Sequence, residues 1–224
     1  MDLKLGILAL TVIFTAGLAA VVFIRNPRGE VQRSFLYLIT SFIVWSLFVM
    51  AVYLSHGNLS LTILTRLTTV ASLIVALLFL NFCYRFPNVI AVNRGILSVF
   101  IPITLADIMI VILPNGAYRV VTEGAAGKIF IINTLPFFLH TLIIMAIFSS
   151  AYWLLFKKRK TYSGINRKLI DLVLIAAALP IVAGIVLNLF FLDRSVNDSY
   201  IYGPSFTLIF TLLVTYKIFI RGEK

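Results

Sequence analysis

Seven long apolar runs follow one another along this chain, with short polar stretches between them. The runs cover approximately residues 5–24, 35–55, 61–84, 96–114, 132–156, 169–192 and 201–220. Each is long enough to cross a hydrocarbon core of about 30 Å as a helix. A segment in lipid must satisfy its own backbone polar groups, and continuous runs rich in Leu, Ile and Phe exclude alternating barrel strands. The sequence therefore predicts an all-α integral membrane protein, a single seven-transmembrane helix bundle over residues 1–224.

The basic residues predict how this bundle is oriented. Lys and Arg near span ends are retained in the cytoplasm. With the N-terminus outside, fourteen of the 19 basic residues fall on the cytoplasmic side. We therefore expect the N-terminus outside and the C-terminus in the cytoplasm, in a multi-pass protein of the cell inner (plasma) membrane. The first span continues unbroken to Ile24, so we expect it to be retained rather than cleaved as a signal peptide.

The net charge of +11 is distributed among loops at the membrane surface rather than gathered on one face. This distribution predicts contacts with the lipid bilayer and argues against a nucleic-acid partner. The densest group, 157–160, is expected to face lipid headgroups. The longest outer connection, 115–131, has β-branched residues on both sides of a Gly-rich centre, which favours a small hairpin.

Four polar residues interrupt the apolar runs and carry the functional information, because burying a charge in hydrocarbon costs about 2.5–3.5 kcal/mol even on the lenient scale. They are Arg66, Asp107, His140 and Asn188. Asp107 and His140 lie at matched depth on neighbouring antiparallel spans, roughly 10 Å from the outer ends. All four fall in the outer half of the membrane, which favours a pocket open to the outside.

The surroundings of these four residues are typical of a small-molecule site. Tyr202 adds an aromatic wall to the ligand-binding set. Pro180 and Gly184 belong to a ridge of small residues in the sixth span and are a candidate conformational hinge. Alternatives remain open: Asp107 paired with Arg66 can simply hold the bundle together, and His140 and Asn188 can be interhelical hydrogen bonders.

Other classes of function have less support from the sequence. No catalytic motif is present, so we do not expect an enzyme, and no residue spacing indicates a metal site or a cofactor. A small-solute transporter, or a membrane scaffold or assembly protein, is the alternative to a sensor. The absence of a motif shared by the first and last three spans argues against a transporter built from repeats.

Several segments carry a resemblance to a known family. They are Asn26-Pro27-Arg28 with Phe35 to Trp45, Arg66 to Tyr84-Arg85-Phe86-Pro87, Leu179-Pro180 to Asn188-Leu189, and Tyr202-Gly203-Pro204-Ser205-Phe206. In these segments the chain resembles the seven-transmembrane N-terminal sensor (input) region of bacterial and archaeal histidine kinases. The resemblance extends over essentially the whole chain.

The resemblance implies a receptor that binds a small ligand in the outer half of the bundle and transmits the signal through the seventh helix. A cytoplasmic signalling module, in cis or in trans, is the implied partner, and a homodimer is expected by analogy. Because the sequence stops at Lys224 without a kinase domain, we expect an input domain or a free-standing sensor rather than a kinase.

Overall fold

The computed structural model describes residues 2–25, 29–87, 95–114, 116–124, 127–191 and 202–220, and describes the side chains of all of these except 119–131, 184–191 and 219–220. Seven α-helices follow one another: α1 Leu3–Arg25, α2 Glu30–Leu54, α3 Asn58–Arg85, α4 Gly95–Ile112, α5 Thr134–Thr161, α6 Gly164–Phe191 and α7 Gly203–Val214. A π-helical segment, Thr215–Ile220, continues α7. In the described part of the chain, α1 to α5 are long and apolar enough to cross a membrane. The bundle of seven helices agrees with the predicted class.

Two short strands join α4 to α5. Strand β1, Tyr118–Gly124, pairs antiparallel with β2, Gly127–Ile132, and the register shifts between Tyr118 and Val120. We call the end of the bundle that carries these strands the hairpin end. The opposite end, where α3 finishes at Arg85 and α5 finishes with Lys158, Arg159 and Lys160, is the basic end.

Local signals explain where the helices begin and end. Gly57, with φ of 92°, supplies the left-handed turn between α2 and α3, and Gly164, with φ of 60°, does the same between α5 and α6. Pro204 occupies the first turn of α7, where a missing N–H costs nothing. The basic residues in the last turns of α3 and α5 complement the negative ends of the helix dipoles.

Helices α5 and α6 extend beyond the predicted spans at the basic end. The sequence predicts that these spans meet the surface at residues 156 and 169, but the helices continue to Thr161 and from Gly164. Hydropathy detects the apolar part of a helix only, and the polar turns beyond it remain helical because Lys and Arg are good helix formers.

The helices pack in sequence order, and α7 returns to α1 to close the ring. Helix α3 also meets α5 across the bundle, which makes it the central element. Phe210 of α7 lies edge-on to Phe35, Phe42 and Phe79, with ring centroids 6.3, 6.1 and 6.0 Å away. Phe79 also contacts Phe148 of α5 at 5.7 Å. This aromatic cluster joins α7 to α2, α3 and α5 in the middle of the bundle.

Candidate functional site

A buried pair of ionisable side chains joins α4 to α5 near the hairpin end. His140 Nδ1 lies 2.7 Å from Asp107 Oδ2, and the two side chains are 5% and 0% exposed. A carboxylate oxygen can only accept, so the imidazole nitrogen donates. The prediction that these residues lie at matched depth on neighbouring helices is confirmed.

The periodicity of each helix places this pair inside. The buried positions of α4 are Thr104, Asp107 and Val111, which recur at helical spacing on one face. His140 begins the buried face of α5, and Ile147 follows two turns later. Asp107 is five residues from the end of α4 and His140 six residues from the start of α5, so the pair is roughly 8 Å inside the hairpin end.

The pair leaves hydrogen-bonding capacity unused. Asp107 Oδ1 and Thr104 Oγ1 are both buried and have no hydrogen-bond partner among the described residues. Thr104 precedes Asp107 by one turn on the same face, so the two atoms belong to one polar patch. A buried oxygen without a partner costs about 1–3 kcal/mol, more when it carries charge. A ligand group that donates hydrogen bonds would recover that free energy.

Arg66 belongs to a different contact. Its Nη2 donates to the backbone carbonyls of Pro114 and Tyr118 at 2.7 and 2.8 Å, and its Nη1 donates to Ile112 at 3.2 Å. The alternative in which Arg66 pairs with Asp107 is therefore wrong. The chain from the end of α4 to the start of β1 lies against α3. Its backbone carbonyls accept the hydrogen bonds of the Arg66 guanidinium that a carboxylate could otherwise accept.

The strand β1 is thereby held against α3 above the Asp107–His140 pair. Tyr118 is buried, bonds to the Thr69 side chain and stacks edge-on against Phe137 with ring centroids 5.9 Å apart. Burial raises the pKa of the Tyr118 phenol, which therefore stays a neutral hydrogen-bonding group. Arg66 and Tyr118 together fix the start of the hairpin over the ends of α3, α4 and α5.

The remaining predicted site residues lie elsewhere. Tyr202 is half-exposed before α7, which packs mainly on α6, α1 and α2 rather than on α4 or α5. Pro180 interrupts the hydrogen bonding of α6, because it offers no N–H to the Ala176 carbonyl. Gly184 lies four residues further along α6. The side chain of Asn188 is outside the described residues.

The environment of Lys158 differs from the one that the sequence predicts. The sequence predicts that the cluster 157–160 faces lipid headgroups, but Lys158 is only 4% exposed. Its Nζ donates to the carbonyls of Cys83, Tyr84 and Phe86 at 3.0, 2.6 and 2.6 Å. Lys158 therefore caps the end of α3, whose last carbonyls have no partner within the helix. The signal was present, since Lys158 follows Ala151 by seven residues on the buried face of α5.

The sequence was compared with models of known protein families. The sequence model of the family described as the N-terminal 7TM region of histidine kinase matches residues 7–220. No curated protein matches the chain. The match extends over all seven helices and the hairpin.

Proposed function

The chain belongs to the family of N-terminal seven-transmembrane regions of histidine kinases, and from that membership we propose that it detects a small ligand at the hairpin end and signals to a cytoplasmic partner. The family supports a sensor role in a multi-pass membrane protein with a signalling partner in the cytoplasm. The main support for this location is the Asp107–His140 pair, in which Asp107 Oδ1 has no hydrogen-bond partner among the described residues.

The chemistry of the pair indicates the class of ligand. A carboxylate oxygen requires a hydrogen-bond donor, and the neighbouring Thr104 hydroxyl can accept or donate. The surfaces around the pair are mostly apolar helix faces, apart from the threonines of α3 and α4. An alcohol or an amine with an apolar portion fits these groups. The hairpin start, held by Arg66, is then the cover over the ligand.

Transmission to the other end of the bundle follows the aromatic cluster. A bound ligand that moves α4 relative to α5 also displaces α3, which packs on both helices. Phe79 of α3 contacts Phe210 of α7, so the displacement reaches α7. The seventh helix then moves at the basic end, with Pro180 and Gly184 allowing α6 to bend alongside it. A ligand shifts this equilibrium only by its differential affinity for the two arrangements.

We test the sensor by joining the full chain in frame to the catalytic region of an unrelated histidine kinase. Autophosphorylation in membrane vesicles is measured against a panel of amphiphilic alcohols and amines. At least one compound is expected to change phosphorylation severalfold, and Asp107→Asn is expected to abolish that response. Asparagine is nearly isosteric and keeps an acceptor for His140, so the fold is retained while the carboxylate charge is lost.

The matched control is Asp171→Asn, which makes the same change in an ion pair with Arg159 at the basic end. It should leave the response intact. A response that survives Asp107→Asn unchanged places the ligand elsewhere. If no compound in the panel alters phosphorylation of the wild-type chimera, the ligand-sensing proposal is rejected.

The proposed orientation places the hairpin end outside the cell. It rests on the excess of basic residues at the other end. In a Cys83→Ala background, a cysteine introduced at Ser60 should react with a membrane-impermeant maleimide on whole cells, and one at Lys160 only after lysis. Both side chains are exposed. The reverse pattern of labelling would invert the topology.

A further inference from the structure

A groove opens between α4 and α5 on the side of the bundle that faces lipid. It is a shallow, open groove with a volume of about 580 Å³, and it is apolar apart from two serine hydroxyls. Its walls are formed by Ile96, Val99, Phe100, Ser149, Ser150 and Trp153. The outer rim is open, since Val99 is 57% and Trp153 54% exposed. The groove is distinct from the Asp107–His140 pair, because Trp153 lies roughly 20 Å along α5 from His140.

The groove ends at the level of the lipid headgroups. Helix α5 has 28 residues and is roughly 42 Å long, which exceeds the hydrocarbon thickness of about 30 Å. Its last turns therefore lie at the polar boundary. Trp153 and Lys157 stand there, and aromatic and basic residues are both enriched at that depth. The apolar walls extend from this level toward the middle of the bundle.

A cation stands at the mouth of the groove. Lys157 Nζ lies 5.2 Å from the centroid of the Trp153 ring, so the ring that forms one wall also holds the ammonium in place. Lys157 is exposed, and among the described residues no carboxylate pairs with it. Lys158, its neighbour, is committed to the end of α3. Lys157 is therefore the cation offered to a molecule in the groove.

We propose that this groove binds an anionic phospholipid, with an acyl chain against Val99, Phe100 and Trp153 and the phosphate at Lys157. The bilayer supplies the molecule, the depth matches its headgroup, and the charge matches its phosphate. A zwitterionic lipid offers the same acyl chain but carries a compensating cation. The groove selects for net negative charge, and one lysine near a membrane surface accounts for about a fivefold preference.

The two tryptophans of the chain make the test direct. Trp45 packs against the core, and Trp45→Phe leaves Trp153 as the only tryptophan, which excitation at the red edge of the absorption band selects over tyrosine. The protein is reconstituted in nanodiscs that contain either phosphatidylglycerol or phosphatidylcholine with brominated acyl chains, at equal mole fraction. Brominated phosphatidylglycerol is expected to quench Trp153 with about fivefold higher apparent affinity. Equal quenching by the two lipids would overturn the proposal.

Two variants and one control separate the parts of the proposed site. Lys157→Gln should bring the two lipids to equal quenching, whereas Lys168→Gln, which removes another exposed lysine from α6, should preserve the preference. Val99→Phe narrows the groove, keeps every charge, and should weaken the quenching of Trp153 by both lipids at least twofold. If Lys168→Gln acts as strongly as Lys157→Gln, the attraction is only general surface charge. If Val99→Phe has no effect, the lipid does not enter the groove.

Discussion

Replacing Lys158 with methionine is expected to lower the free energy of unfolding by roughly 3–5 kcal/mol. Methionine is one heavy atom shorter than lysine, fills most of the same space and donates no hydrogen bond. The carbonyls of Cys83, Tyr84 and Phe86 then lose the ammonium that they share. Two of them end α3, where the dipole concentrates negative charge, so the loss is greater than for three isolated bonds. Thermal or denaturant unfolding in detergent micelles measures the change.

The matched control for Lys158 is Lys160→Met, two residues further in the same helix. Lys160 is exposed, and its substitution is expected to change stability by less than about 0.5 kcal/mol. Since both variants lose one positive charge from the same helix end, the comparison isolates the contact with α3. Equal, small effects of the two substitutions would show that Lys158 does not support the end of α3.

Removing either partner of the Asp107–His140 pair is expected to destabilise the bundle by roughly 3 kcal/mol. Asp107→Ala leaves an imidazole in the interior without its acceptor, and His140→Ala leaves a fully buried carboxylate without its donor. The double variant should lose about 2–3 kcal/mol less than the sum of the single losses, because the second substitution removes the group that the first left unpaired. Unfolding of all four proteins under one condition gives the coupling energy.

The same cycle distinguishes a structural pair from a sensing pair. Additive losses would mean that Asp107 and His140 do not interact in the folded protein. A large coupling together with an unchanged ligand response in Asp107→Asn would assign the pair to stability alone. Coupling together with a lost response is the outcome that the proposed sensor requires.

The sequence predicts the number and the approximate limits of the helices well, because apolar length is a direct requirement of the bilayer. It also predicts that Asp107 and His140 lie at matched depth on neighbouring antiparallel spans, since their distances from the outer ends of those spans are equal. Both inferences use only distance along a helix. To predict the helical face on which a residue lies, one also needs the rotation of each helix relative to its neighbours.

Lys158 and Arg66 are two residues whose contacts could not be predicted without knowing these rotations. In the run Lys-Lys-Arg-Lys nothing local distinguishes Lys158 from Lys157, yet one is buried and the other exposed. Only the extension of the face of Ala151 and Leu154 separates them. Charge alone would allow Arg66 to pair with Asp107, but its guanidinium donates instead to the backbone carbonyls of Pro114 and Tyr118. Carbonyl acceptors are invisible in a sequence, because every residue has one.

The ring of Phe210 packs among three other phenylalanines, and this packing favours tilting of α7 about Phe210 over sliding of α7 along its axis. Sliding α7 along its axis by the rise of one residue, about 1.5 Å, would break edge-to-face ring contacts that are each worth about 0.5–1.5 kcal/mol. Tilting α7 about Phe210 keeps these contacts. Phe210 lies seven residues from Gly203 and ten from Ile220, so the helical segment extends beyond it in both directions. We therefore expect that a tilt of α7 about Phe210 would move its two ends in opposite directions.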